Sequence, residues 1–379
     1  MEDGKPATEP LWRQYRSQFP ITENLLYLNH AAIGPLCRPA AEAMQQFTDD
    51  ALRFGSLHYD HWLAAYESLR VAAAKLIRAH RDEIAIVKNT SEGVSTVALG
   101  LDWRPGDTIV AFEDEFPANQ YPWRRLEQTC GVHIKWVRFD EPLEVIEKAA
   151  KNARLLAISF VQYLSGYRAD LEAIGRICHG VGCFFFVDAI QGLGAFPLDV
   201  EAYHIDAMAA DGHKWLLGPE GCGLLYVRRD RLPQISPVEF GWTNSASFND
   251  YESRDMSLRP DAGRYECGTL NTIGCFGLRA AIEFVLEVEM ERIAPVVRAL
   301  ADLVEKGAIG RGYEIFHKRT QSNSSGIVSI RKPGVDSAAL VASLKGQGIV
   351  TASRHGWVRV APHFYISPEE IGRFVELLP

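Results

Sequence analysis

The sequence predicts an α/β fold in which a largely parallel sheet carries helices on both faces. From residue 84 to residue 228, short apolar runs alternate with segments whose apolar residues recur every three or four positions, a pattern typical of such folds. Three runs, at 183–187, 206–210 and 223–227, are short enough to be buried strands, and polar residues follow the first two. Because α/β sheets bind ligands beyond the carboxyl ends of their strands, these polar residues predict a site.

The remaining elements follow from the same two periodicities. Helices are predicted at 9–19, 39–53, 61–80, 171–180, 272–287, 289–306 and from Ser367 onward, and strands at 84–87, 134–139, 155–160, 326–331 and 357–361. We expect an N-terminal segment, 1–26, that packs on a small domain, a large domain over 27–262, and a small α+β domain over 263–379. The polar stretch 241–262 is predicted to be a long loop, and its role as a lid is left open.

Composition and charge exclude several classes of function. The 379-residue chain has a formal net charge of −8 and scattered Lys and Arg residues, so we expect no nucleic-acid partner. No apolar run approaches the ~20 residues of a membrane span. The first ten residues, MEDGKPATEP, are acidic and contain two prolines, unlike a signal peptide. We therefore expect no membrane partner and a cytoplasmic location.

Cysteine and histidine usage predicts no metal site. The seven cysteines show no C-x-x-C spacing, which favours free thiols in a reducing compartment. His58 and His61 lie near Asp60 without further spaced ligands, a pattern more typical of a helix surface than of a metal centre.

Two polar residues at the predicted strand ends indicate a particular chemistry. Asp188 follows the run 183–187, and Lys214 lies just beyond the run 206–210. A buried amine loses its proton more readily and can attack a carbonyl. Pyridoxal phosphate uses such a lysine and needs a carboxylate at its ring nitrogen, which predicts Lys214 and Asp188 as catalytic residues. Singly, each could be a surface turn residue, but the flanking glycines and buried strands favour the catalytic interpretation.

Two further segments supply candidate ligand contacts. Thr90 and Ser91 follow a predicted strand at the start of a helical pattern, where free N–H groups suit a phosphate, although any capped helix has this pattern. Asn29 and His30 lie in a loop rich in small residues, which lets the backbone approach a substrate. A polar surface loop is the alternative for this second segment.

Three motifs carry a resemblance to a known family. VDAIQ at 187–191, ADGHKW at 210–215 and LLGPEGCG at 216–223 resemble the class V aminotransferases, fold type I pyridoxal phosphate enzymes that include the cysteine desulfurases and isopenicillin N epimerase. Further matches extend from about Tyr27 to Tyr365. The resemblance implies a large domain with a mostly parallel seven-stranded sheet, a smaller α+β domain, pyridoxal 5′-phosphate as cofactor, a small amino-acid substrate and a homodimer.

The resemblance also implies roles for matching residues. Cofactor contacts fall on Thr90, Ser91, Phe116, Gln162, Asp188, Gln191, His213 and Lys214, with Thr269 contributed to the neighbouring active site. Lys214 would bond the cofactor aldehyde, Gln191 would contact the phenolic oxygen, and Phe116 would stack on the ring. Substrate contacts fall on Arg359, which matches the family arginine that grips the α-carboxylate, and on Asn29, His30 and Arg354.

Three departures from the family bear on the reaction. Phe116 replaces a desulfurase histidine and cannot exchange protons. Asp211 stands where relatives often carry a hydroxyl residue, and we leave it out of the phosphate contacts because an ionised carboxylate would repel phosphate. No cysteine follows Cys275, which argues against a persulfide on a protein thiol.

The sequence therefore favours amino-group transfer at Cα of a small amino acid. The alternatives are a C–S lyase or cysteine desulfurase-like enzyme, an amino-acid epimerase, and a non-catalytic module that binds pyridoxal phosphate. A Rossmann dehydrogenase is disfavoured because no G-x-G-x-x-G follows a predicted strand. The substrate side chain is not predicted.

Overall fold

The computed structural model describes residues 9–379. Residues 1–8 lie outside the described residues, and they include most of the stretch compared with a signal peptide and the beginning of the predicted segment 1–26.

Helices and strands alternate through the first two thirds of the chain. In chain order these elements are α1 (Leu11–Tyr15), β1 (Leu26–Tyr27), α2 (Arg38–Phe54), α3 (Tyr59–Ile77), β2 (Ile84–Val87), α4 (Thr90–Gly100), β3 (Thr108–Phe112), α5 (Tyr121–Cys130), β4 (His133–Val137), α6 (Leu143–Ala150), β5 (Leu155–Ser159), α7 (Leu171–Val181), β6 (Phe184–Asp188), β7 (Ala207–Asp211) and β8 (Gly223–Val227). They are followed by α8 (Thr272–Val288), α9 (Met290–Gly310), β9 (Glu314–Ile315), β10 (Val328–Arg331), α10 (Ser337–Gly346), β11 (Ile349–Val350), β12 (Ala352–Arg354), β13 (Trp357–Val360) and α11 (Pro368–Glu376).

The central sheet confirms the predicted fold class. Within residues 9–379, seven strands form one sheet in the order β2-β8-β7-β6-β5-β3-β4. β8 runs antiparallel to both of its neighbours, and the other pairs are parallel. Asp188 at the end of β6 is in register with Ser159 of β5 and Ala209 of β7. The carboxyl ends of three neighbouring strands therefore meet at one edge of the sheet.

The strand β6 is buried on both faces, which explains its uninterrupted apolar sequence. Phe184 and Phe186 pack into the core on one side of the sheet, whereas Phe185 and Val187 pack into the core on the other side. Successive side chains of a strand point to opposite faces, so a sheet covered by helices on both faces requires apolar residues at every position.

A second, antiparallel sheet of four strands, in the order β12-β13-β10-β9, lies within the described residues 314–360. The N-terminal segment contacts this part of the chain. Arg16 pairs with Glu370 at 2.8 Å, and the ring of Phe19 stacks on that of Tyr365 with centroids 3.8 Å apart. The division of the chain into 1–26, 27–262 and 263–379 stays a prediction.

Two segments differ from regular secondary structure. The N-terminal helix predicted over 9–19 ends early as α1 and continues as a 3₁₀ turn. Phe19 leaves the helical conformation because it precedes Pro20. The predicted loop 241–262 is irregular apart from the 3₁₀ turn Trp242–Asn244 and an isolated bridge, and its role as a lid stays a prediction.

Candidate active site

A cavity of about 340 Å³ opens at the carboxyl ends of the central strands. Nine of the predicted site residues line it, namely Thr90, Ser91, Phe116, Asp188, Gln191, His213, Lys214, Arg354 and Arg359. They come from the start of α4, the loop after β3, the end of β6 and the loop after it, the turn after β7, and the strands β12 and β13. The structure thus brings together residues that are up to 269 positions apart, from Thr90 to Arg359.

The backbone around Lys214 is held by contacts from two distant segments. The N–H of Gly34 donates to the carbonyl oxygen of His213 at 2.7 Å. A Cβ atom at residue 34 would overlap the carbonyl oxygen of Lys214, so glycine is needed for this close approach. From the other segment, Nε2 of His363 donates to the carbonyl oxygen of Trp215 at 3.1 Å. The turn that carries Lys214 is therefore clamped on both sides of the lysine.

The half-buried Lys214 and the buried Asp188 line the same cavity, and the charge of each acts on the other. Burial lowers the pKa of the Lys214 amine to about 8, and the Asp188 carboxylate opposes this lowering. Burial raises the pKa of Asp188 to about 6, against the effects of Lys214 and of the Ile190 N–H, which donates to Oδ1 at 3.1 Å. Slightly above neutral pH, Asp188 is ionised and part of Lys214 is a neutral amine. Such a pair can attack an aldehyde and hold a proton on a ring nitrogen.

The start of α4 supplies N–H groups for an anion. Asn89 caps this helix, since its Oδ1 accepts the N–H of Glu92 at 2.9 Å. Thr90 Oγ1 accepts the N–H of Asp211 at 3.0 Å, which ties the helix start to the end of β7. The first N–H groups of a helix have no partner within it and suit phosphate oxygens. Thr90 and Ser91 therefore lie where a phosphate can bind.

Asp211, which sequence reasoning left out of the cofactor contacts, lines the same cavity. Its Oδ2 lies 3.0 Å from Nδ1 of His213, close enough for an ion pair but not aligned for a hydrogen bond. Its Oδ1 has no hydrogen-bond partner within residues 9–379. A carboxylate and an imidazole therefore lie together in the wall of the cavity.

Arg359 presents an unused donor to the cavity. Its Nη1 donates to the carbonyl oxygen of Tyr163 at 2.8 Å, whereas its buried Nε has no partner in the described part of the chain. Burial, and secondarily the positive charge of Arg354, lower the pKa of Arg359 to about 10. A buried donor without a partner is costly, so this guanidinium is suited to a ligand carboxylate.

Gln191 and Phe116 both line the cavity, but Gln191 is held by hydrogen bonds whereas Phe116 is exposed. Gln191 Nε2 donates to the carbonyl oxygen of Ala31 at 2.8 Å, and its Oε1 accepts the indole N–H of Trp215 at 3.0 Å. One amide hydrogen of Gln191 remains for a ligand. Phe116 is 49% exposed, and its ring centroid lies 5.9 Å from Nζ of Lys214. A flat ligand bound to Lys214 can therefore meet an aromatic ring.

Gln162 is placed differently from the prediction. Its Oε1 accepts the N–H groups of Leu164 and Ser165 at 2.8 and 2.6 Å, and its Nε2 donates to the carbonyl oxygen of Asp114. The side chain stabilises the loop after β5 and does not line the cavity. Its amide oxygen and one amide hydrogen bond to backbone groups, and because the side chain is absent from the cavity lining, the structure does not place Gln162 among the candidate cofactor contacts.

His30 and Asn29 also lie outside the cavity lining. His30 is fully buried, with Nδ1 2.8 Å from the carbonyl oxygen of Ala361 and Nε2 2.7 Å from the hydroxyl of Tyr365. Both ring nitrogens have protein partners, and burial lowers the pKa of His30, so its role is in packing. Asn29 pairs with Ala361 through an isolated bridge that joins the loop to β13.

Thr269 is exposed and lines a separate, smaller cavity of about 130 Å³. Asn271 organises the chain beside it, because Oδ1 of Asn271 accepts the N–H of Gly274 at 3.1 Å and its Nδ2 donates to the carbonyl oxygen of Gly221 at 3.0 Å. Thr269 has no contact with the Lys214 cavity of its own chain.

Glu115 is a buried acid that sequence reasoning missed. Its carboxylate accepts the N–H and the hydroxyl of Ser159, each at 2.5 Å, and Nδ2 of Asn119 at 3.1 Å. Burial, and secondarily the charge of the nearby Asp188, raise the pKa of Glu115 to about 8, against the hydrogen bonds from Ser159 and Asn119. Ser159 lines the cavity beside Asp188, so Glu115 fixes part of its wall. The signal was an acidic residue shortly after a strand, in the sequence EDEFP.

The donor set fits pyridoxal phosphate. The cavity offers an amine for its aldehyde, a buried carboxylate for its ring nitrogen, and the start of α4 for its phosphate. The guanidinium of Arg359, which lines the cavity and donates to Tyr163 through Nη1, remains for the carboxylate of a second ligand. A mostly parallel α/β sheet with this set at its carboxyl edge defines a fold type I pyridoxal phosphate enzyme.

Comparison with known proteins identifies the family. The profile described as Aminotransferase class-V matches residues 26–364. A probable cysteine desulfurase of Pyrococcus abyssi is 29% identical with 96% of each chain covered, and an uncharacterized aminotransferase of Bacillus subtilis is 29% identical with 97% of each chain covered. The apo structure of cysteine desulfurase from Thermococcus onnurineus NA1 has a TM-score of 0.89 and 28% identity, with 96% of each chain covered. This chain belongs to the class V aminotransferase family.

The predicted family, fold class and cofactor are thereby confirmed, and the protein is a pyridoxal phosphate-dependent enzyme of this family. All seven cysteines fall within the described residues as free thiols, and none of them lines the cavity. Residues 9–379 contain no group of three His, Cys, Asp or Glu side chains placed to hold a metal ion. In the same part of the chain, no helix combines the length and the apolar character that crossing a membrane requires.

Proposed function

We propose that the protein transfers the amino group of a small α-amino acid through pyridoxal phosphate. The juxtaposition of Lys214 and Asp188 in one buried cavity carries this proposal. A lysine amine that is partly neutral near pH 8 can take a proton from Cα of a bound amino acid. The free thiols of the described chain all lie away from this cavity, which favours a reaction that needs no protein thiol.

Each lining residue has a role in this proposal. The bound cofactor supplies an electron sink for the charge that develops at Cα when a bond breaks. Lys214 holds the cofactor aldehyde and moves the Cα proton, and Asp188 keeps the ring nitrogen protonated. Arg359 orients the amino acid, because a planar guanidinium binds a carboxylate with two parallel hydrogen bonds. Thr90, Ser91 and His213 hold the phosphate.

Cleavage of a C–S bond is the second candidate function. The relatives from Pyrococcus abyssi and Thermococcus onnurineus are described as cysteine desulfurases, which supports this candidate. With no described cysteine at the cavity, sulfur would leave to solvent or to an external thiol rather than to this chain.

Product analysis separates these functions. Cofactor-loaded protein is incubated with a panel of L-amino acids and a 2-oxo acid acceptor. We expect a new 2-oxo acid and a new amino acid in equal amounts. Sulfide with pyruvate from cysteine would instead support the second candidate, and D-isomers would indicate an epimerase. No product from any amino acid would indicate a non-catalytic module that binds the cofactor.

Replacement of Arg359 by alanine is expected to weaken amino-acid binding by about 10- to 100-fold while the cofactor stays bound. Hydrogen bonds to charged groups contribute roughly 1.5–3 kcal/mol, and this variant removes those to the α-carboxylate. The concentration dependence of the amino-acid-induced change in the visible spectrum measures the effect. Arg359→Lys keeps the charge but not the planar fork and should be intermediate. Arg331→Ala, at an exposed position, is the control, and unaltered affinity in Arg359→Ala would refute the assignment.

A homodimer with shared active sites is part of the proposal. The exposed Thr269 lies in a segment that resembles the family motif and outside the cavity of its own chain, which supports a role in a neighbouring subunit. Light scattering should give twice the subunit mass of 42.3 kDa. Mixed dimers of Lys214→Ala and Thr269→Ala subunits should regain activity, because one site then has both Lys214 and Thr269. No gain on mixing, with exchange shown by tagged subunits, would contradict shared sites.

The proposed location is the cytoplasm. Seven free thiols suit a reducing compartment, where disulfides rarely persist, and this is the observation that supports it.

A further inference from the structure

Two arginines line the candidate active site, although one α-carboxylate needs only one of them. Arg354 and Arg359 both face the cavity. Each donates to a backbone carbonyl, Arg354 Nη1 to Ser353 at 2.9 Å and Arg359 Nη1 to Tyr163 at 2.8 Å. Within residues 9–379, neither guanidinium has a carboxylate within the 4.0 Å of an ion pair. Asp188 and Asp211 line the cavity near Lys214, and the two arginines of the lining have no ion-pair partner among the described residues.

The hairpin of β12 and β13 sets the spacing of these cations. Ala352 pairs with Arg359, and Arg354 pairs with Trp357. Side chains two residues apart on a strand share a face, so Arg354 is the diagonal neighbour of Arg359 on one face of the hairpin. Diagonal neighbours lie about 7–8 Å apart. A ligand with two anionic groups a few bonds apart can meet both guanidinium groups.

The two arginines differ in burial, which gives the ligand a direction. Arg359 is 3% exposed at the base of the cavity, whereas Arg354 is exposed at its rim. Arg354 also opposes the protonation of two groups below it, because its charge lowers the pKa of Arg359 and of Lys214. An anion at the rim would offset this repulsion. At the same rim, the hydroxyl of Tyr163 lies 3.1 Å from Nε2 of His355, which adds polar groups beside Arg354.

We propose that the substrate is an α-amino acid whose side chain ends in a second carboxylate. Arg359 would bind the α-carboxylate and Arg354 the distal carboxylate, while Ile33 and Phe116 of the cavity wall suit the apolar carbons between them. This inference rests on the proposed function and names its substrate class. It holds for amino-group transfer from an acidic amino acid and for C–S cleavage of cystine, whose far end also carries a carboxylate.

Matched amino acids test the inference. Cofactor-loaded protein is titrated with L-glutamate, L-glutamine, L-aspartate, L-cystine and L-alanine, and the visible spectrum reports binding. Glutamate and glutamine differ in the distal charge, so glutamate should bind about 10- to 100-fold more tightly. Arg354→Gln should lose this preference, so that glutamate and glutamine bind about equally. Arg354→Lys should restore part of the preference, because it returns the charge without the planar fork.

Each outcome separates the inference from the proposed function. Equal binding of glutamate and glutamine by the unaltered protein, or an equal loss for alanine and glutamate in Arg354→Gln, would overturn the inference and leave the proposed function standing. No spectral response to any amino acid would overturn both. Loss of cofactor from Arg354→Gln on dialysis would assign Arg354 to the cofactor phosphate and so overturn the inference.

Discussion

Replacement of Lys214 by alanine should abolish turnover and remove the visible band of lysine-bound cofactor. In the proposed reaction this amine bonds the aldehyde and takes the Cα proton, and a positioned base contributes about 10²–10⁴-fold to a rate. Lys214 is the only lysine among the described residues that line the cavity, so no other amine there can replace it. Absorbance spectra before and after borohydride reduction, with peptide mapping of the label, measure the linkage.

The pH dependence of cofactor attachment adds a second measurement on the same residue. Attack requires the neutral amine, so the rate should rise with pH through about 8 in the unaltered protein. Asp188→Asn removes a charge that favours the protonated amine and should move this midpoint to lower pH. Lys345→Ala, on the exposed end of α10, is the matched control. A spectrum and pH profile in Lys214→Ala like those of the control would disprove the assignment.

Loss of the buried ion pair between Arg70 and Glu266 is expected to destabilise the protein by about 3–5 kcal/mol. Nη2 of Arg70 donates to Oε2 of Glu266 at 2.8 Å, and Glu266 Oε1 accepts the N–H of Ile86 at 2.8 Å. Arg70 also donates to the carbonyl oxygen of Ile84 at 3.2 Å. The side chains are 7% and 3% exposed, so Arg70→Met would leave the Glu266 carboxylate buried without its cation.

Urea unfolding measures the loss of stability. Two comparison variants show whether this loss comes from the unpaired buried charge. Arg176→Ala breaks an exposed pair with Glu172 and should cost at most about 0.5 kcal/mol. Combining Arg70→Met with Glu266→Leu removes both charges and should restore much of the loss, since the penalty comes from the unpaired charge. A loss below about 1 kcal/mol in Arg70→Met would contradict the assigned role. Glu266 lies three residues before Thr269, so the pair also positions the segment proposed for the neighbouring site.

The sequence predicted the elements that depend on local chemistry. The strand predicted at 84–87 is β2, with the same ends. The helix predicted from Ser367 onward is α11, and it begins with a capping box, because Ser367 Oγ accepts the N–H of Glu370 at 3.2 Å and Glu370 accepts the N–H of Ser367 at 2.8 Å. Both signals are contained within a few consecutive residues, and this is why they could be interpreted without the fold.

The residues of the site differ in how far the sequence alone could place them. Asp188 and Lys214 end apolar runs, so their positions at the sheet edge followed from sequence. His30 was predicted to contact the substrate. Its ring forms hydrogen bonds with Ala361 and Tyr365, which lie 331 and 335 residues further along the chain. Glu115 was missed for the same reason, because its partner Ser159 lies 44 residues further on.

By itself the sequence determined which chemical groups this protein carries, that is, a lysine and a carboxylate at neighbouring strand ends and the motifs of a pyridoxal phosphate family. The tertiary structure alone decided which of its polar side chains are left free for a ligand. Both ring nitrogens of His30 and the amide oxygen of Gln162 have partners in the protein, whereas the guanidinium of Arg359 lines the cavity and its Nε has no partner in the described chain. The reason is physical: a polar group is free only when no distant segment folds against it, and those segments meet only in three dimensions.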